Sequence, residues 1–181
     1  ESKISNNENE LLNASHIFLP GVGSFKKAME IIKERKIDKI LKKAVYETNI
    51  KLFGICLGMQ LLGSHSEEDN GAEGLNFIQN KITRFDKNNS SLKIPHVGFN
   101  KVNFNYSSKD NIFYNLKDDS FFYFVHSYKM EITPSLSNYS STIYGEKFIS
   151  AFQKDNLIGT QFHPELSQSN GIKIIDNFLK L

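Results

Sequence analysis

Apolar and polar positions alternate along the chain in blocks that predict strands and helices in turn. Ser15-His16-Ile17-Phe18-Leu19 is a short apolar run closed by Pro20-Gly21-Val22-Gly23, which predicts a strand ending in a glycine-rich loop. Ala28, Ile31 and Ile32, and then Ile37, Ile40, Leu41, Ala44 and Val45, recur at helical spacing with charges between them, so one helix is expected there. Ile50 to Ile55 is mostly apolar and short enough for a buried strand, and Leu57 to Leu62 reads as the first turns of a helix. This order predicts parallel strands joined by helical crossovers.

The second half is patterned differently. Asn76 to Phe85, Lys101 to Asn105 and Phe121 to Val125 are strand candidates, separated by polar loops that include Asn88 to Ser91 and Ser135 to Ser141. Ile149 to Gln153 and Leu157 to Gln161 flank Lys154-Asp155-Asn156 and predict a hairpin. Gly171 to Leu181 places Ile174, Ile175, Phe178 and Leu179 on one helical face.

Composition narrows this further. With 181 residues and 39% hydrophobic content, the chain supports one domain, taken as residues 1–181, with a substantial core. A net charge of +2 is too mild to argue for nucleic acid or an anionic membrane. The basic stretch Lys26 to Lys43 is interleaved with Glu30, Glu34 and Asp38 and reads as a solvated helix face. A single cysteine forms no internal disulfide, and no apolar run approaches membrane-spanning length. A soluble cytoplasmic protein is the expectation.

That cysteine, Cys56, sits in Gly54-Ile55-Cys56-Leu57-Gly58, between a predicted strand and a predicted helix. The pattern is that of a nucleophile elbow, where glycines relieve a turn too tight for neighbouring side chains. A small buried hydrophobe explains a lone cysteine equally well at this level. A partner base is available in Gln161-Phe162-His163-Pro164-Glu165, where alternation on an extended segment points His163 and Glu165 to one side and Pro164 ends the strand. In a Cys-His-carboxylate arrangement the histidine takes and returns the thiol proton while the carboxylate orients it. A plain loop or a metal site competes for the same residues. His16, His65, His96 and His126 are scattered, however, and the paired cysteines of zinc deaminases are absent, so no metal centre is expected.

Taken together, Pro20-Gly21-Val22-Gly23, the Gly54 to Gln60 stretch and Gly159 to Glu165 resemble the class I glutamine amidotransferases, the triad glutaminases. Ser66-Glu67-Glu68, Pro95-His96-Val97-Gly98-Phe99-Asn100 and Tyr123-Phe124-Val125-His126-Ser127-Tyr128 resemble the glutaminase subunit of imidazole glycerol phosphate synthase. The resemblance runs from about Ser15 to the C-terminus. It implies an α/β fold with a flavodoxin-like, doubly wound, mostly parallel sheet, helices on both faces and an antiparallel extension. It also implies cofactor-free hydrolysis of L-glutamine by Cys56, His163 and Glu165, with the oxyanion held by Leu57 and by the strand Gly21, Val22 and Gly23. Glutamine recognition falls to Gln60, Glu68, His126, Ser127 and Tyr128, Glu68 meeting the substrate ammonium. The implied partner is a (β/α)8-barrel cyclase forming a heterodimer across Pro95, His96, Phe99 and Asn100 and using the ammonia in histidine synthesis.

The sequence departs from the family pattern in three places. Its usual first strand and helix have no counterpart, which is read as trimming or disorder; Phe99 stands where tryptophan is usual, and Leu166 where lysine is common. A paralogue feeding a sugar-amidinating synthase and an inactive partner-binding relic are the alternatives carried forward.

Overall fold

In the computed structural model the described residues are 2–86, 92–104 and 111–181. Residues 88–91, a predicted loop, and Asn105, the end of a predicted strand, lie outside them. The N-terminal residues form a short helix α1 (Glu8–Leu12), capped by the Asn7 side chain, that the sequence pattern does not signal. The strand β1 (His16–Gly21) then pairs in parallel with β2 (Lys51–Cys56), in a register that sets His16 against Lys51 and Gly21 against Cys56.

The crossover between these strands is two helices, α2 (Phe25–Glu34) and α3 (Ile37–Glu47), where one was expected. Lys36 adopts φ 58 between them. The apolar stripe skips Arg35 and Lys36, so a single continuous helix would turn Ile37 away from the core, and the left-handed residue restores the phase. Ser24 caps α2 by accepting the Lys27 N–H. A short helix α4 (Leu57–Leu61) follows β2 directly.

The remaining elements are β3 (His65–Ser66), a 3-10 turn at Glu68–Asn70, β4 (Ala72–Glu73), β5 (Lys81–Arg84), β6 (His96–Val102), β7 (Ser120–His126), β8 (Tyr128–Met130), β9 (Tyr139–Tyr144), β10 (Glu146–Lys154), β11 (Leu157–Thr160), a 3-10 turn at Pro164–Leu166 and α5 (Gln168–Phe178). The main sheet runs β1-β2-β11-β10-β8-β5-β3-β4, with β9 beside β10. Its β1-β2-β11 section is parallel, as is the β3-β5 pair, and the antiparallel extension is built from β10, β8, β5, β9 and β4. β6 and β7 form a separate antiparallel hairpin that reaches the main sheet through bridges Tyr123–His163 and Asn103–Ser141.

Several expectations need correcting. The strand predicted over Asn76 to Phe85 is confined to β5, because Phe77 and Ile78 are both buried and both donate to the Leu62 carbonyl, packing a loop against the end of α4. The predicted loop Ser135 to Ser141 already contains the start of β9, whose Ser140, Ser141 and Thr142 are polar, and so read as loop in sequence, yet are buried. β6 begins at His96 rather than Lys101, and α5 begins at Gln168 rather than Gly171.

The core lies on both faces of the sheet. Phe25, Met29, Leu41, Leu52 and Met59 pack on the side of α2, α3 and α4, while Phe53, Phe122, Phe124, Ile174 and Phe178 pack on the side of α5 and the hairpin. Leu52 and Phe53 thus go to opposite cores, as strand alternation requires. No helix among the described residues is long and apolar enough to cross a membrane.

Candidate active site

Cys56 ends β2 and opens α4 with φ 53 and ψ −109. An L-residue held there stores roughly 1–3 kcal/mol of backbone strain, which the surrounding packing has to enforce. The glycines beside it explain how the chain fits. A Cβ on Gly58 would lie 1.7 Å from the Leu19 carbonyl oxygen, and one on Gly54 would lie 2.7 Å from the Gly58 backbone. The thiol stands at the wall of a cleft, so the reading of Cys56 as core filler leaves both the strain and the position unexplained.

The same cleft is lined by Val22, Gly23, Leu57, Gln60, Glu68, His126, Ser127 and Tyr128. Register accounts for the first of these, since β1 ends with Gly21 beside Cys56 and hands the chain to Val22, which is 83% exposed. Gly21 itself packs under the Leu57 side chain, where an added Cβ would come within 3.2 Å. Gly23 takes φ +96 with open space around it, so it is needed for its conformation rather than for room.

His163 arrives from the other side of β2. Thr160 of β11 pairs with Ile55, and the chain runs on through Gln161 to His163. The histidine backbone is clamped, its N–H donating to the Tyr123 carbonyl at 2.9 Å and its carbonyl accepting the Ser167 hydroxyl at 2.5 Å. Its Nδ1 lies 2.6 Å from Glu165 Oε1, the contact expected of the His-Pro-Glu triplet, but the two are brought together by a 3-10 turn at Pro164–Leu166 and not by alternation on an extended segment. The His163 Nε2 is buried and has no hydrogen-bond partner among the described residues.

The thiol and the imidazole are not hydrogen-bonded to each other in this state. Cys56 Sγ instead receives the Gln161 Nε2 amide at 3.7 Å and lies 3.9 Å from the Val125 carbonyl oxygen. Burial pushes the thiol up to about 11; the nearby Glu165 charge acts in the same direction, against the Leu57 N–H and the Gln161 amide. The resting sulfur is therefore protonated at neutral pH, and reaction requires it to hand its proton to a base. His163 Nε2 is unoccupied and suited to accept it.

Two of the remaining cleft residues, Gln60 and His126, are held by one backbone group. The Tyr128 carbonyl accepts His126 Nδ1 at 2.7 Å and Gln60 Nε2 at 3.0 Å, and Gln60 Nε2 also reaches Gln161 Oε1 at 2.9 Å. Gln60 is thus a buried network member rather than a helix-surface residue. Glu68 is more than one member of an acidic run, since its Oε2 accepts the Phe25 N–H at 2.8 Å at the start of α2, and Asp69 beside it accepts the Ser24 hydroxyl at 2.6 Å. His126 is pushed down to about 3, chiefly by burial, and so enters the site as a neutral ring.

The residues expected at a partner surface divide. Pro95 and Phe99 are exposed, but His96 is only 2% exposed and Asn100 turns inward to the Ile143 carbonyl and to His96. The surface reading of His96 is therefore corrected: strand alternation sends His96 and Asn100 into the molecule and Val97 and Phe99 out of it. Phe121 and Val125 of β7 and nearby Leu166 are likewise exposed. Sequence reasoning passes over Gln161 and the Val125 carbonyl. Gln161 has a signal, since it follows β11 directly; the carbonyl has none.

Among the described residues no group of histidine, cysteine and acidic side chains is arranged to hold a metal ion.

Comparison with known proteins agrees with this geometry. The family model for class-I glutamine amidotransferases matches residues 1–181. The imidazole glycerol phosphate synthase subunit HisH of Escherichia coli K12 is 40% identical over 100% of this chain and 87% of its own. Subunit HisH 1 of a Campylobacter jejuni strain is 39% identical over 98% of this chain and 87% of its own. Among solved structures, a glutamine amidotransferase superposes with TM-score 0.74 at 16% identity, covering 99% of this chain and 85% of that one. Another glutamine amidotransferase, from Thermotoga maritima, gives 0.59 at 17% identity, covering 92% and 63%. With the elbow cysteine, the His-Glu pair and a match along its whole length, the chain belongs to the class-I glutamine amidotransferase family.

Proposed function

We propose that this protein is a glutaminase subunit: it hydrolyses L-glutamine to glutamate and ammonia through Cys56, His163 and Glu165, and supplies the ammonia to a (β/α)8-barrel cyclase that makes imidazole glycerol phosphate in histidine biosynthesis. The observation that carries the reading is a single cleft in which the strained cysteine faces Gln60, Glu68 and His126 to Tyr128. The relatives named as imidazole glycerol phosphate synthase subunits support the choice of pathway.

In this reading Cys56 gives its proton to His163 Nε2, and its sulfur adds to the amide carbon of glutamine. The developing oxyanion is met by the N–H of Leu57 and by the strand Gly21, Val22 and Gly23, donors whose loss typically costs about two to three orders of magnitude in rate. Protonated His163, held by Glu165, passes the proton to the leaving nitrogen, and ammonia departs from a thioester. Water, deprotonated by His163, then releases glutamate and restores the thiol. Glu68 supplies negative charge for the substrate ammonium. Both amide hydrogens of Gln60 are engaged, so its contribution to substrate is the Oε1 acceptor.

A partner surface is supported by the exposed apolar side chains Val97, Phe99, Phe121, Val125 and Leu166. Val125 contributes both to that face and, through its carbonyl, to the surroundings of Cys56, so a partner docked there would sit one residue from the thiol. The proposed setting is the cytoplasm, and the proposed assembly a heterodimer.

The test is glutamate release by the protein and by Cys56→Ala, alone and with a histidine-pathway cyclase plus its ribonucleotide ligand. Ligand-stimulated turnover lost with Cys56 is the expected result. Amide ¹⁵N appearing only in an amidinated sugar would reject the histidine assignment in favour of a paralogous synthase, and no turnover in any setting would identify an inactive relic.

A further inference from the structure

The inward face of β6 is joined to the catalytic sulfur by two runs of hydrogen bonds that meet at the Tyr128 carbonyl, and the direction of the outer run is set at both of its ends. At the inner end the Tyr128 carbonyl only accepts, so the nitrogen facing it, His126 Nδ1 at 2.7 Å, carries a hydrogen. A neutral His126 then has a bare Nε2, and the nitrogen 2.9 Å from it, His96 Nδ1, must donate. That leaves His96 Nε2 as an acceptor, 3.3 Å from Asn100 Nδ2. At the outer end the Asn100 amide is oriented independently, because its Oδ1 accepts the Lys101 N–H at 2.8 Å and leaves Nδ2 to face His96. The two assignments agree, with one proton per ring and none to spare.

Proton order ends at the Tyr128 carbonyl, which accepts in any case; what His96 and Asn100 pass beyond it is the position of that oxygen, from which a second ordered run leads to the thiol. The carbonyl also requires the nitrogen of the Gln60 amide, at 3.0 Å; the same nitrogen meets Gln161 Oε1 at 2.9 Å, which turns Gln161 Nε2 to Cys56 Sγ at 3.7 Å. Flipping any one amide, or adding a proton to either ring, sets like against like somewhere in the chain. His96 is held for this task by stacking between Phe124, with centroids 4.8 Å apart, and Tyr144, at 3.9 Å.

We infer that His96 and Asn100, neither of which lines the cleft, are positioning residues of this site: through His126, Tyr128, Gln60 and Gln161 they hold the hydrogen-bond donor that faces the Cys56 sulfur. Only the kinetic part of this inference rests on the glutaminase reading; the effect on the thiol does not. Low pKa values for both rings, about 4 for His96 and about 3 for His126, accord with a pair that works neutral.

The test is the rate of Cys56 alkylation by iodoacetamide, without glutamine or partner, read beside glutaminase kcat and KM. His96→Phe keeps a ring in the stack and removes both nitrogens. A relay contributing one ordinary hydrogen bond's worth of order predicts alkylation slowed about three- to tenfold and a matching fall in kcat with little change in KM. His96→Asn, whose amide nitrogen stands near the place of Nδ1, restores most of the rate, whereas Lys101→Ala on the outward face of the same strand leaves it unchanged. Asn100→Leu, which leaves the ring stack intact, moves alkylation the same way and carries the test should His96→Phe not fold. Unaltered alkylation in folded His96→Phe or Asn100→Leu overturns the inference. A wild type that hydrolyses no glutamine overturns the proposed function instead, with the alkylation series still deciding the relay.

Discussion

At the scale of single residues, Cys56 shows how strain, sterics and reactivity meet at one position. The backbone at φ 53 is sustained because Gly54 and Gly58 admit the close approach of β1, β2 and α4. Gly58→Ala would drive a methyl group into the Leu19 carbonyl, and it is expected to cost about 3 kcal/mol or more, at the upper end of overpacking penalties. A fall in urea midpoint together with loss of glutaminase activity checks this. Glu68 makes a different prediction, since it serves the end of α2 and faces the cleft at once. Glu68→Gln keeps a hydrogen-bond acceptor for Phe25 but removes the charge, so KM for glutamine should rise about tenfold or more with a smaller change in kcat, as measured by steady-state kinetics.

At the scale of elements, β6 carries two faces with two tasks. Val97 and Phe99 point outward and are 55% and 47% exposed, while His96 and Asn100 point inward to the relay. Substituting the outward side chains should therefore separate partner binding from chemistry. Phe99→Asp is expected to weaken association with the cyclase about tenfold or more while leaving the Cys56 alkylation rate of the free protein within about twofold, because a charge on a desolvated apolar contact is costly and the inward network is untouched. Calorimetric titration and alkylation kinetics read the two effects separately. The same element explains where sequence reasoning goes astray. Resemblance presents Pro95 to Asn100 as one surface, whereas a strand divides every such run between its two sides.

At the scale of the whole molecule, the His96–His126 pair lies where the β6-β7 hairpin packs on the main sheet, enclosed by Phe85, Phe124, Tyr144 and Phe148. Both rings are held below the ordinary histidine range, to about 4 and about 3, mainly by burial. A depressed folded value means that the unfolded chain binds the proton first. The stabilising contribution is present above about pH 6.5, the unfolded histidine value, and is lost as pH falls toward the folded values. Urea denaturation is expected to show about 3–4 kcal/mol less stability at pH 5 than at pH 7, about half of it from each ring, and a correspondingly shallower loss in His96→Phe. The thiol works in the opposite direction. Its raised value makes folded Cys56 hold its proton longer, so stability declines as pH rises from the unfolded thiol value near 8.5 through about 11, a decline that Cys56→Ala should remove.

The features legible in the residue order are local or carried by a compact motif. Gly54 to Gly58 specifies the elbow because the steric demand falls on residues adjacent in the chain, and His163 and Glu165 are legible as a pair because they are two residues apart, although a 3-10 turn at Pro164–Leu166 rather than an extended segment brings them together. The periodic runs mark β1, β2, α5 and the β10-β11 hairpin for the same reason. The division of α2 from α3 at Lys36, the buried polar strand β9 and the confinement of β5 depend on what each segment packs against, which periodicity does not encode. The hydrogen-bond order from Asn100 to Cys56 is the extreme case. It joins residues far apart in the chain through one backbone carbonyl, and a group present in every residue becomes specific only when the tertiary structure places it.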